Sequence, residues 1–436
     1  MLVAIIIFCL AYILIIFEKF PISVLAMLGA IVMVMTGVLG AEEAFRAIDL
    51  NVIFLLVGMM IMVSILAETG LFEWIAIKAT QLVKGEPIPL LVLLMLATAV
   101  FSAFLDNVTT ILLIVPVTIV MLENLKLDTK PFIIGEILAS NIGGTATLIG
   151  DPPNILIGSE AGFSFNDFII NLGPVIIINL IVTIFLLYFF YCRKLKVSRE
   201  LKAHIMELSP DRALKDKKLM YQSLVILLLV IAGFVSHEIT HIEPSIIALA
   251  GAMALILVSK KEPEEIFEKV EWPTLFFFMG LFIMVEGLVE VGVIQMLAEA
   301  TLSLTKGDFQ KTALFIGILS SSVSPIIDNI PYTTTMLPLI KNLETAFPNV
   351  DALWWSLALG ACLGGNATLI GASANVVAAN ISKKNGKVIS FIEYLKYGLP
   401  LTLMQTAMLN IMAFIFFFFI SFKTLEVDPS KIEPIN

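Results

Sequence analysis

Apolar runs recur along the whole chain, separated by short polar segments, and each run approaches the roughly 20 residues that a membrane-spanning helix needs. The runs are continuous and do not alternate between apolar and polar positions, which excludes a transmembrane β-barrel pattern. The first run, MLVAIIIFCLAYILIIF, lacks a basic leader and a small-residue cleavage site, so we predict a retained helix rather than a signal peptide. The pattern therefore predicts an all-α polytopic protein of the inner or plasma membrane.

Composition supports this fold class. Hydrophobic residues make up 59% of the 436 positions and charged residues only 14%, against about 25% charged residues in soluble proteins. The formal charge of -9 includes no basic patch that would indicate a nucleic-acid partner. The cysteines Cys9, Cys192 and Cys362 are far apart in sequence and predict neither a disulfide framework nor a zinc site.

The sequence contains an internal repeat. Four features recur in the same order with an offset of 221 or 222 residues: Asp106-Asn107 as Asp328-Asn329, Gly58 as Gly280, Gly70 as Gly292, and IGGTATLIGDPPN (142–154) as LGGNATLIGASAN (363–375). The repeat predicts two homologous halves, 1–190 and 219–436, joined by a polar linker, 191–218. This linker holds nine Lys/Arg against four Asp/Glu, so the positive-inside rule places it in the cytoplasm.

The predicted spans are odd in number in each half, which makes the repeat an inverted one with both termini external. An inverted repeat is common in secondary transporters, whose binding site lies near the membrane midplane. Two parallel halves remain possible if the segment 88–122 is two full spans. The predicted spans are 2–17, 22–39, 51–67, broken 132–160 and 168–190, then 220–236, 245–258, 273–290, broken 352–382 and 391–422, with amphipathic stretches at 70–86 and 293–308.

The apolar segments 88–122 and 311–340 each contain an Asp-Asn pair in the middle. Their flanks fit half-helices better than full spans, so we predict two re-entrant hairpins whose tips lie at a midplane site. The alternative is an ordinary solvated turn at a membrane surface. Acids at membrane depth are costly and functional by default, so Asp106 and Asp328 are predicted to bind a cation or a proton, with transient Na⁺ possible there. Asn107, Asn329, Thr109, Thr110, Thr333 and Thr334 can contact substrate oxygens, although threonine hydroxyls equally often bond the helix backbone.

The two glycine-rich segments cannot continue as plain helices. Glycines weaken them, and prolines 152 and 153 break the first. Freed backbone groups at membrane depth must face a ligand or protein, so the segments are predicted to bind the substrate or ion, unless the glycines only allow close helix packing. Asp151 is aligned with Ala372, so the two halves are not equivalent. The candidate residues are Asn141, Gly143, Gly144, Thr145, Thr147, Asp151 and Asn154, then Gly364, Gly365, Asn366, Thr368, Ser373 and Asn375, with Cys362 nearby.

The motifs FLDNVTTILLIVPVTI and NIGGTATLIGDPPN resemble those of the ion transporter superfamily with its citrate-transporter-like domain. They are most similar to the branch of the arsenite-efflux permeases, the NhaD sodium/proton antiporters and the melanosomal P protein. The resemblance covers nearly the whole chain. It implies an elevator-type transporter, commonly a homodimer, coupled to H⁺ or Na⁺ and without a resident cofactor. The dicarboxylate transporters resemble the chain less, since they carry a Ser-Asn-Thr type of tip.

This resemblance predicts proton-coupled export of an arsenite-type solute first. Sodium/proton antiport is second and di- or tricarboxylate transport third, because acidic tips oppose a polyanion unless cations bind with it. Cys362 could contact arsenic, but a small packing residue is the simpler interpretation. The substrate, the stoichiometry and any associated ATPase subunit are not specified by the sequence.

Enzyme functions fit the sequence poorly. HEITH, 237–241, matches the H-E-x-x-H zinc-protease pattern, but it lies in a predicted external loop near Pro244 and lacks an evident third ligand. LIGD, 148–151, faintly resembles intramembrane aspartyl proteases, which would not explain the repeat. No P-loop is present, so the chain is not predicted to hydrolyse ATP. A passive channel is the other alternative, although broken helices favour alternating access.

Overall fold

The structure is a computed structural model, and it describes residues 1–16, 20–189, 195, 197–207, 209–347 and 349–424. The described residues form helices and contain no β-strand, so the predicted all-α polytopic fold is confirmed. Several described helices are apolar and at least 18 residues long, enough by length and composition to cross a membrane. They are Leu50–Ala67, Pro87–Phe104, Asn107–Asn124, Phe165–Leu187, Lys217–Val235 and Trp272–Glu290.

The helices of the first half follow the predicted hydrophobic runs closely. Phe17, the last residue of the first predicted span, and residue 190, the end of the fifth, lie outside the described residues. The helices are α1 (Leu2–Ile16), α2 (Ile22–Met35), α3 (Ala41–Arg46), α4 (Leu50–Ala67), α5 (Leu71–Leu82), α6 (Pro87–Phe104), α7 (Asn107–Asn124), α8 (Lys130–Gly144), α9 (Pro152–Ala161) and α10 (Phe165–Leu187).

The second half repeats this order after the linker helix α11. Residues 191–194, 196 and 208 of the predicted linker, with Cys192, lie outside the described residues. The helices are α11 (Arg199–Met206), α12 (Lys217–Val235), α13 (His237–Thr240), α14 (Pro244–Ser259), α15 (Pro263–Phe267), α16 (Trp272–Glu290), α17 (Val293–Thr305), α18 (Phe309–Ile327), α19 (Asn329–Leu343), α20 (Asp351–Gly364), α21 (Ser373–Lys384) and α22 (Phe391–Thr424).

Two groups of helices organise the molecule. The first, which we call the frame, comprises α1–α4 and α12–α16. The second, the hairpin bundle, comprises α6–α10 and α18–α22, and the amphipathic helices α5 and α17 connect the two. Within the frame α4 packs against α14 and α2 against α16, so each half packs on the other in two equivalent places.

Glycines make these frame crossings possible. A Cβ atom added at Gly58 would lie 2.7 Å from the carbonyl carbon of Ala248, and one added at Gly280 would lie 2.5 Å from the carbonyl carbon of Ala26. Small residues allow such close backbone approach between membrane helices. Because each contact joins residues of different halves, the two halves interlock.

The hairpins α6–α7 and α18–α19 turn at their Asp-Asn pairs. The arms of the first hairpin are 18 residues each, so they are longer than the half-helices predicted from the sequence. The predicted arms were shorter because α6 already begins at Pro87, a favoured first helical position, and α7 continues to Asn124. The tip asparagines Asn107 and Asn329 are only 2% and 1% exposed, so the alternative of a solvated turn is wrong.

Both glycine-rich segments interrupt a helix. α8 ends at Gly144 and α9 begins at Pro152, while in the second half α20 ends at Gly364 and α21 begins at Ser373. Gly143 lies against the backbone of Ala99 on α6, and Gly364 lies against Ser321 on α18. The packing interpretation is therefore correct for these two glycines. Gly144 and Gly365 instead approach the carbonyl oxygens of Gly150 and Gly371 within their own loops.

One face of the molecule collects the linker and several ion pairs. Lys261 and Lys269 both pair with Glu68 at the end of α4, and Lys202 of α11 pairs with Glu86 before α6. Lys130 pairs with Glu393 at 2.9 Å on the same side. Such exposed pairs contribute about 0–1 kcal/mol each to the stability of the protein, so they identify this face more than they stabilise it. The positive charge of the linker predicts that this face is cytoplasmic.

Candidate transport site

A buried carboxylate, Asp151, lies at the centre of the hairpin bundle. Its Oδ1 accepts hydrogen bonds from Asn107 Nδ2 at 3.1 Å and from Asn329 Nδ2 at 3.2 Å. Asn329 Nδ2 also lies 3.3 Å from Asp151 Oδ2. The two hairpin tips, one from each half, therefore meet at a single carboxylate, which is fully buried.

Asn141 extends this network into the second broken helix. Its Oδ1 accepts from Asn107 Nδ2 at 3.3 Å, and its Nδ2 donates to Asn366 Oδ1 at 2.9 Å and Asn375 Oδ1 at 2.8 Å. All four side chains are buried. The predicted residues of both halves are thus joined in one polar core around Asp151.

Two of the predicted asparagines hold the broken segments in shape. Asn154 Nδ2 donates to the carbonyl oxygens of Thr145 at 3.0 Å and Thr147 at 2.8 Å. Asn375 Nδ2 does the same for Gly365 at 2.8 Å and Thr368 at 2.9 Å. These bonds satisfy carbonyl groups that the helix break leaves without partners, which is a requirement at membrane depth. Asn154 also accepts from Cys362 Sγ at 3.6 Å, so this cysteine is a buried packing partner.

The two tip acids cap the helices that follow them. Asp106 accepts from the backbone N–H of Thr109 at 2.9 Å and also bonds the Thr109 hydroxyl. Asp328 accepts from the backbone N–H of Ile330 at 3.0 Å and from Ser373 Oγ at 2.9 Å. Aspartate is among the strongest N-caps because its carboxylate satisfies free N–H groups of the first turn. Both acids therefore orient the tips, and both also lie beside open space.

Four predicted threonines bond backbone carbonyl groups, but of the four tip threonines, for which this alternative was raised, only Thr334 does so. The acceptors are Asn141 for Thr145, Ala103 for Thr147, Pro325 for Thr368 and Ile330 for Thr334. Other buried polar atoms have no hydrogen-bond partner among the described residues. They are Oδ1 of Asn107, Nδ2 of Asn366 and the hydroxyl groups of Thr110 and Thr333. An unpaired acceptor and an unpaired donor in the network around Asp151 give the polar core capacity for a small polar ligand.

A cavity of about 400 Å³ separates the tips from the frame. Asp106 and Asp328 line it from the hairpin bundle, while Glu271 and Thr274 line it from the start of α16. Among the described lining residues there is no Lys or Arg. The cavity therefore presents three carboxylates and suits a cation or an uncharged solute better than a free anion. Asp151 lies next to it, because the adjacent Pro152 is part of its wall.

A direct hydrogen bond joins the frame to the second hairpin. The hydroxyl of Tyr12 on α1 donates to the carbonyl oxygen of Pro331 at 2.9 Å and lies 3.0 Å from Thr335 Oγ1. No hydroxyl occupies the equivalent place in the other half, where Ile231 corresponds to Tyr12. The correspondence follows from the equal spacing of buried residues, Ala4, Ala11 and Ile15 on α1 and Ser223, Val230 and Phe234 on α12.

We expect Tyr12→Phe to shift the balance of conformations away from the arrangement described here. The lost hydrogen bond contributes about 0.5–1.5 kcal/mol, which corresponds to a roughly two- to tenfold change in population. Distances between spin labels on the frame and on α19 would measure the shift. The control is Tyr394→Phe, which removes a buried hydroxyl that has no partner among the described residues. Equal distance distributions in Tyr12→Phe and the unmodified protein would show that the bond does not hold the two groups together.

Three residues beside this site were not predicted from the sequence. Tyr12 carried no signal, because a tyrosine in an apolar helix is ordinary. Glu271 carried no signal either, because it stands at the end of a charged segment, where a further acid is ordinary. Glu136 is buried within α8, and as an acid inside the apolar run FIIGEILAS it could have been found by the rule that identified the tip acids.

The H-E-x-x-H segment forms the short helix α13 and a turn between α12 and α14. His237 Nδ1 lies 2.7 Å from the carbonyl oxygen of Ile242, and Glu238 accepts from Ser164 Oγ at 2.6 Å. Among the residues that the structure describes, no group of three His, Cys, Asp or Glu side chains is placed to hold a metal ion. The segment is a polar turn, and the hydrogen bond of Glu238 joins it to the start of α10.

Comparison with known proteins identifies related sequences over most of the chain. A family model described as "Citrate transporter" (CitMHS) matches residues 12–360. A 46 kDa membrane protein of Mycobacterium leprae is 44% identical over 416 residues, which cover 94% of this chain and 97% of that protein. An uncharacterized transporter of Mycobacterium tuberculosis strain H37Rv is 44% identical over 423 residues, 95% and 98% of the two chains.

More distant similarities extend to an animal protein and a solved structure. The P protein of Homo sapiens is 35% identical over 476 residues, which cover 89% of this chain and 57% of that protein. The crystal structure of the Alcanivorax borkumensis YdaH transporter has a TM-score of 0.55 at 11% identity, covering 89% of this chain and 88% of that one. At this identity the match concerns the fold alone.

Proposed function

The chain belongs to the citrate transporter family, and on that premise we propose that it is a cation-coupled secondary transporter with Asp151 as its central binding group. Its relatives are transporters, so the chain is a multi-pass membrane transporter and not an enzyme. Coupling to a cation and the identity of the solute are the parts of the proposal that need testing.

The observation that supports cation coupling is the environment of Asp151. Its carboxylate is fully buried, and its hydrogen-bond partners are neutral groups, the amides of Asn107 and Asn329 and the thiol of Cys362. Among the described residues, no Lys, Arg or His forms an ion pair with it. A buried charge without a partner is costly, so the carboxylate must take up a proton or a metal cation when the site is closed.

The coupling ion in this proposal is H⁺ or Na⁺. Asp106 and Asp328 border the cavity that gives access to the core, and their carboxylates attract a cation to it. The ion then passes to Asp151, where the carboxylate and the unpaired Oδ1 of Asn107 hold it. The transporter has no resident cofactor in this scheme.

Two classes of solute fit the site. An uncharged oxyacid such as arsenous acid would bond the free amide groups of Asn107 and Asn366, and its proton-coupled export is the first hypothesis. The family supports a citrate-like carboxylate as the second. Because the described lining of the cavity carries carboxylates and no Lys or Arg, such an anion would need an accompanying cation. Sodium/proton antiport needs no further solute.

We further propose that the hairpin bundle moves against the frame as an elevator, in a homodimer. The cavity between the tips and the frame favours a moving bundle, as does the largely apolar contact elsewhere, where hydrogen bonds such as Tyr12 to Pro331 and Ser164 to Glu238 join the two groups. The amphipathic helices α5 and α17 are then the connecting arms.

Replacing the tip acids by asparagine tests the coupling. Asn is as good an N-cap as Asp, so Asp106→Asn and Asp328→Asn keep the tips folded while each removes one charge. We expect either variant to lower coupled ion flux about tenfold, the equivalent of about 1.4 kcal/mol, because an ion attracted by three carboxylates loses one of them. The flux is measured in proteoliposomes loaded with a pH dye.

Additions to the same vesicles distinguish the solutes. Proton movement on adding sodium alone identifies an antiporter, whereas movement that requires arsenite, citrate or citrate with magnesium identifies the corresponding solute. Asp308→Asn, at an exposed N-cap remote from the cavity, is the control and should leave flux unchanged. Unchanged coupled flux in both tip variants would refute the proposed role of the tips.

A further inference from the structure

We infer that Glu136 is a proton-binding residue on a path that connects the cytoplasm to Asp151 through the first hairpin and α8. The inference rests on the proposed function and names the proton as the coupling ion. It assigns a role to a residue that lies outside the polar core and lines no part of the cavity.

The position of Glu136 is the first argument. Its side chain is fully buried, Oε1 accepts from Thr118 Oγ1 at 2.5 Å, and Oε2 has no hydrogen-bond partner among the described residues. A carboxylate in this environment is tolerable when it carries a proton, whose O–H is then available for transfer. A buried acid with one neutral partner and one open oxygen is poorly explained as a structural residue.

The second argument is the series of polar groups that begins at Glu136. Ser140 follows one helical turn later on the same face of α8. Its Oγ donates to the carbonyl oxygen of Asn107 at 3.1 Å, and Ser102 Oγ donates to the carbonyl oxygen of Ser140 at 2.7 Å. Asn107 in turn bonds Asp151. Hydrogen bonds therefore join Ser140 to the central carboxylate through Asn107, and Glu136 precedes Ser140 by one helical turn on the same face.

The third argument is the location of Glu136 between the core and the cytoplasmic face. It lies six residues after Lys130 and five before Asn141, about 9 Å and about 7.5 Å along the helix axis. Lys130 begins α8 at the face that carries the linker, where it pairs with Glu393. Glu136 therefore stands roughly midway between water and the polar core.

The second half of the protein lacks the acid of this path and the two hydroxyl groups beside it, although Ser324 and Asn329 repeat Ser102 and Asn107. The repeat aligns Thr118 with Ile340, Glu136 with Leu357 and Ser140 with Ala361. Ile340, Leu357 and Ala361 are all fully buried. Since the same fold accommodates apolar residues at the equivalent places, packing alone does not require the polar ones.

No charged side chain among the described residues contacts Glu136. The ionisable groups on the helices packed against α8 stand mostly in their terminal turns or beyond the break. At the cytoplasmic end these groups are Glu123 on α7, Lys130 with Glu393, Lys383 and Lys384 on α21, and Lys396, Tyr397 and the buried Tyr394 on α22. At the other end they are Asp151 and Cys362, with Asp167 and Asp351 at the far ends of α10 and α20. Glu136 is thus the acid between the two groups.

The proton balance is simple. A proton from cytoplasmic water binds the Glu136 carboxylate and neutralises it. Water molecules between Glu136 and Asp151 carry the proton onward in this scheme: the O–H bond at Glu136 breaks as one forms on the first water, each water passes on a proton as it receives one, and the last O–H bond forms at Asp151, which leaves Glu136 ionised and ready for the next proton. No oxidant, reductant or other reactant takes part.

The test uses the full chain in proteoliposomes with two variants. Glu136→Gln keeps the size of the side chain, and the double variant Thr118→Ile/Glu136→Leu copies the Ile340–Leu357 pair of the second half. We expect both to lower proton flux about 100-fold, the lower end of what a positioned proton-transfer group contributes. Solute exchange at equal pH on both sides, which needs no net proton transfer, should stay within about twofold of the unmodified protein under the same principle.

Infrared spectra give a second measurement that does not depend on transport. A protonated-carboxyl band of the unmodified protein should disappear in Glu136→Gln and persist in Asp151→Asn. Unchanged proton flux in both Glu136 variants would overturn the inference and leave the proposed function intact. Transport by the unmodified protein without any proton movement would overturn the inference as well, and would be visible without a variant.

Discussion

Asp151→Asn should strongly reduce coupled transport while the protein still folds. Both tip asparagines donate to the same oxygen, Oδ1 of Asp151, and an asparagine at this position can keep its own Oδ1 there. The substitution therefore removes the negative charge and the longer contact of Asn329 Nδ2 with Oδ2, and preserves the two bonds to Oδ1 that join the tips. Hydrogen bonds to a charged group contribute about 1.5–3 kcal/mol, so we expect coupled flux to fall by about 10- to 100-fold or more.

The measurement is ion and solute flux in proteoliposomes, with size-exclusion chromatography to verify folding. Asn154→Asp is a useful contrast, because Asn154 holds carbonyl oxygens of its own loop and a carboxylate cannot donate to them. That variant should fail to fold, whereas Asp151→Asn should elute as the unmodified protein does. Coupled flux within twofold of normal in Asp151→Asn would mean that the buried carboxylate is structural.

Relocating the carboxylate extends this test. Ala372 occupies the equivalent place in the second half and has nearly the same extended backbone, with φ -152° against -143° for Asp151. The double variant Asp151→Ala/Ala372→Asp moves the acid across the repeat. Recovery of flux in it would show that a single carboxylate between the tips is sufficient, whichever half supplies it.

Gly58→Leu should lower the stability of the frame strongly. A Cβ at Gly58 would lie 2.7 Å from the carbonyl carbon and 2.9 Å from the Cβ of Ala248, so α4 and α14 must separate. Overpacking of a well-packed interior costs about 1–3 kcal/mol and occasionally more, and here backbone atoms oppose the new side chain. We expect a loss of about 3 kcal/mol in unfolding free energy.

Thermal unfolding in detergent, followed by the loss of the monodisperse chromatographic peak, provides the measurement. Gly173→Leu on α10 is the matched control, because the nearest atom to an added Cβ there is Ile169 Cγ2 at 3.9 Å. Gly280→Leu should resemble Gly58→Leu, since the repeat places it in the same kind of crossing. Equal melting temperatures for Gly58→Leu and the control would contradict the close approach of the two helices.

The sequence predicted the elements of this fold well because each carries a local signal. The hydrophobic runs marked the spans, and the offset of the repeat identified the Asp-Asn tips and the glycine-rich breaks. The contacts between residues were harder to predict from the sequence. The repeat established that Gly58 and Gly280 are equivalent, but it did not reveal that each packs against an alanine of the opposite half.

The relative positions of the acids could not be predicted from the sequence. Asp106 and Asp328, which occur in both halves, and Asp151, which occurs in one, were all candidate residues for the ion site. In the structure the paired acids cap helices, which both copies of the fold need, while the unpaired one lies at the centre. Repetition therefore indicated structural need here, and the departure from repetition marked the central position.

The packing of the two halves on each other in the frame also has a consequence for biosynthesis, because these contacts can form only after the second half has been made. Gly58 is made roughly 190 residues before Ala248, a delay of about 10 to 40 seconds at translation rates of 5–20 residues per second. Throughout that interval the small-residue faces of α2 and α4 have no partner, so the nascent first half must wait in the bilayer with those faces covered by lipid or by the insertion machinery. A first half released alone should be a target for proteolysis, and expressing the two halves as separate chains should restore a stable protein when both are present.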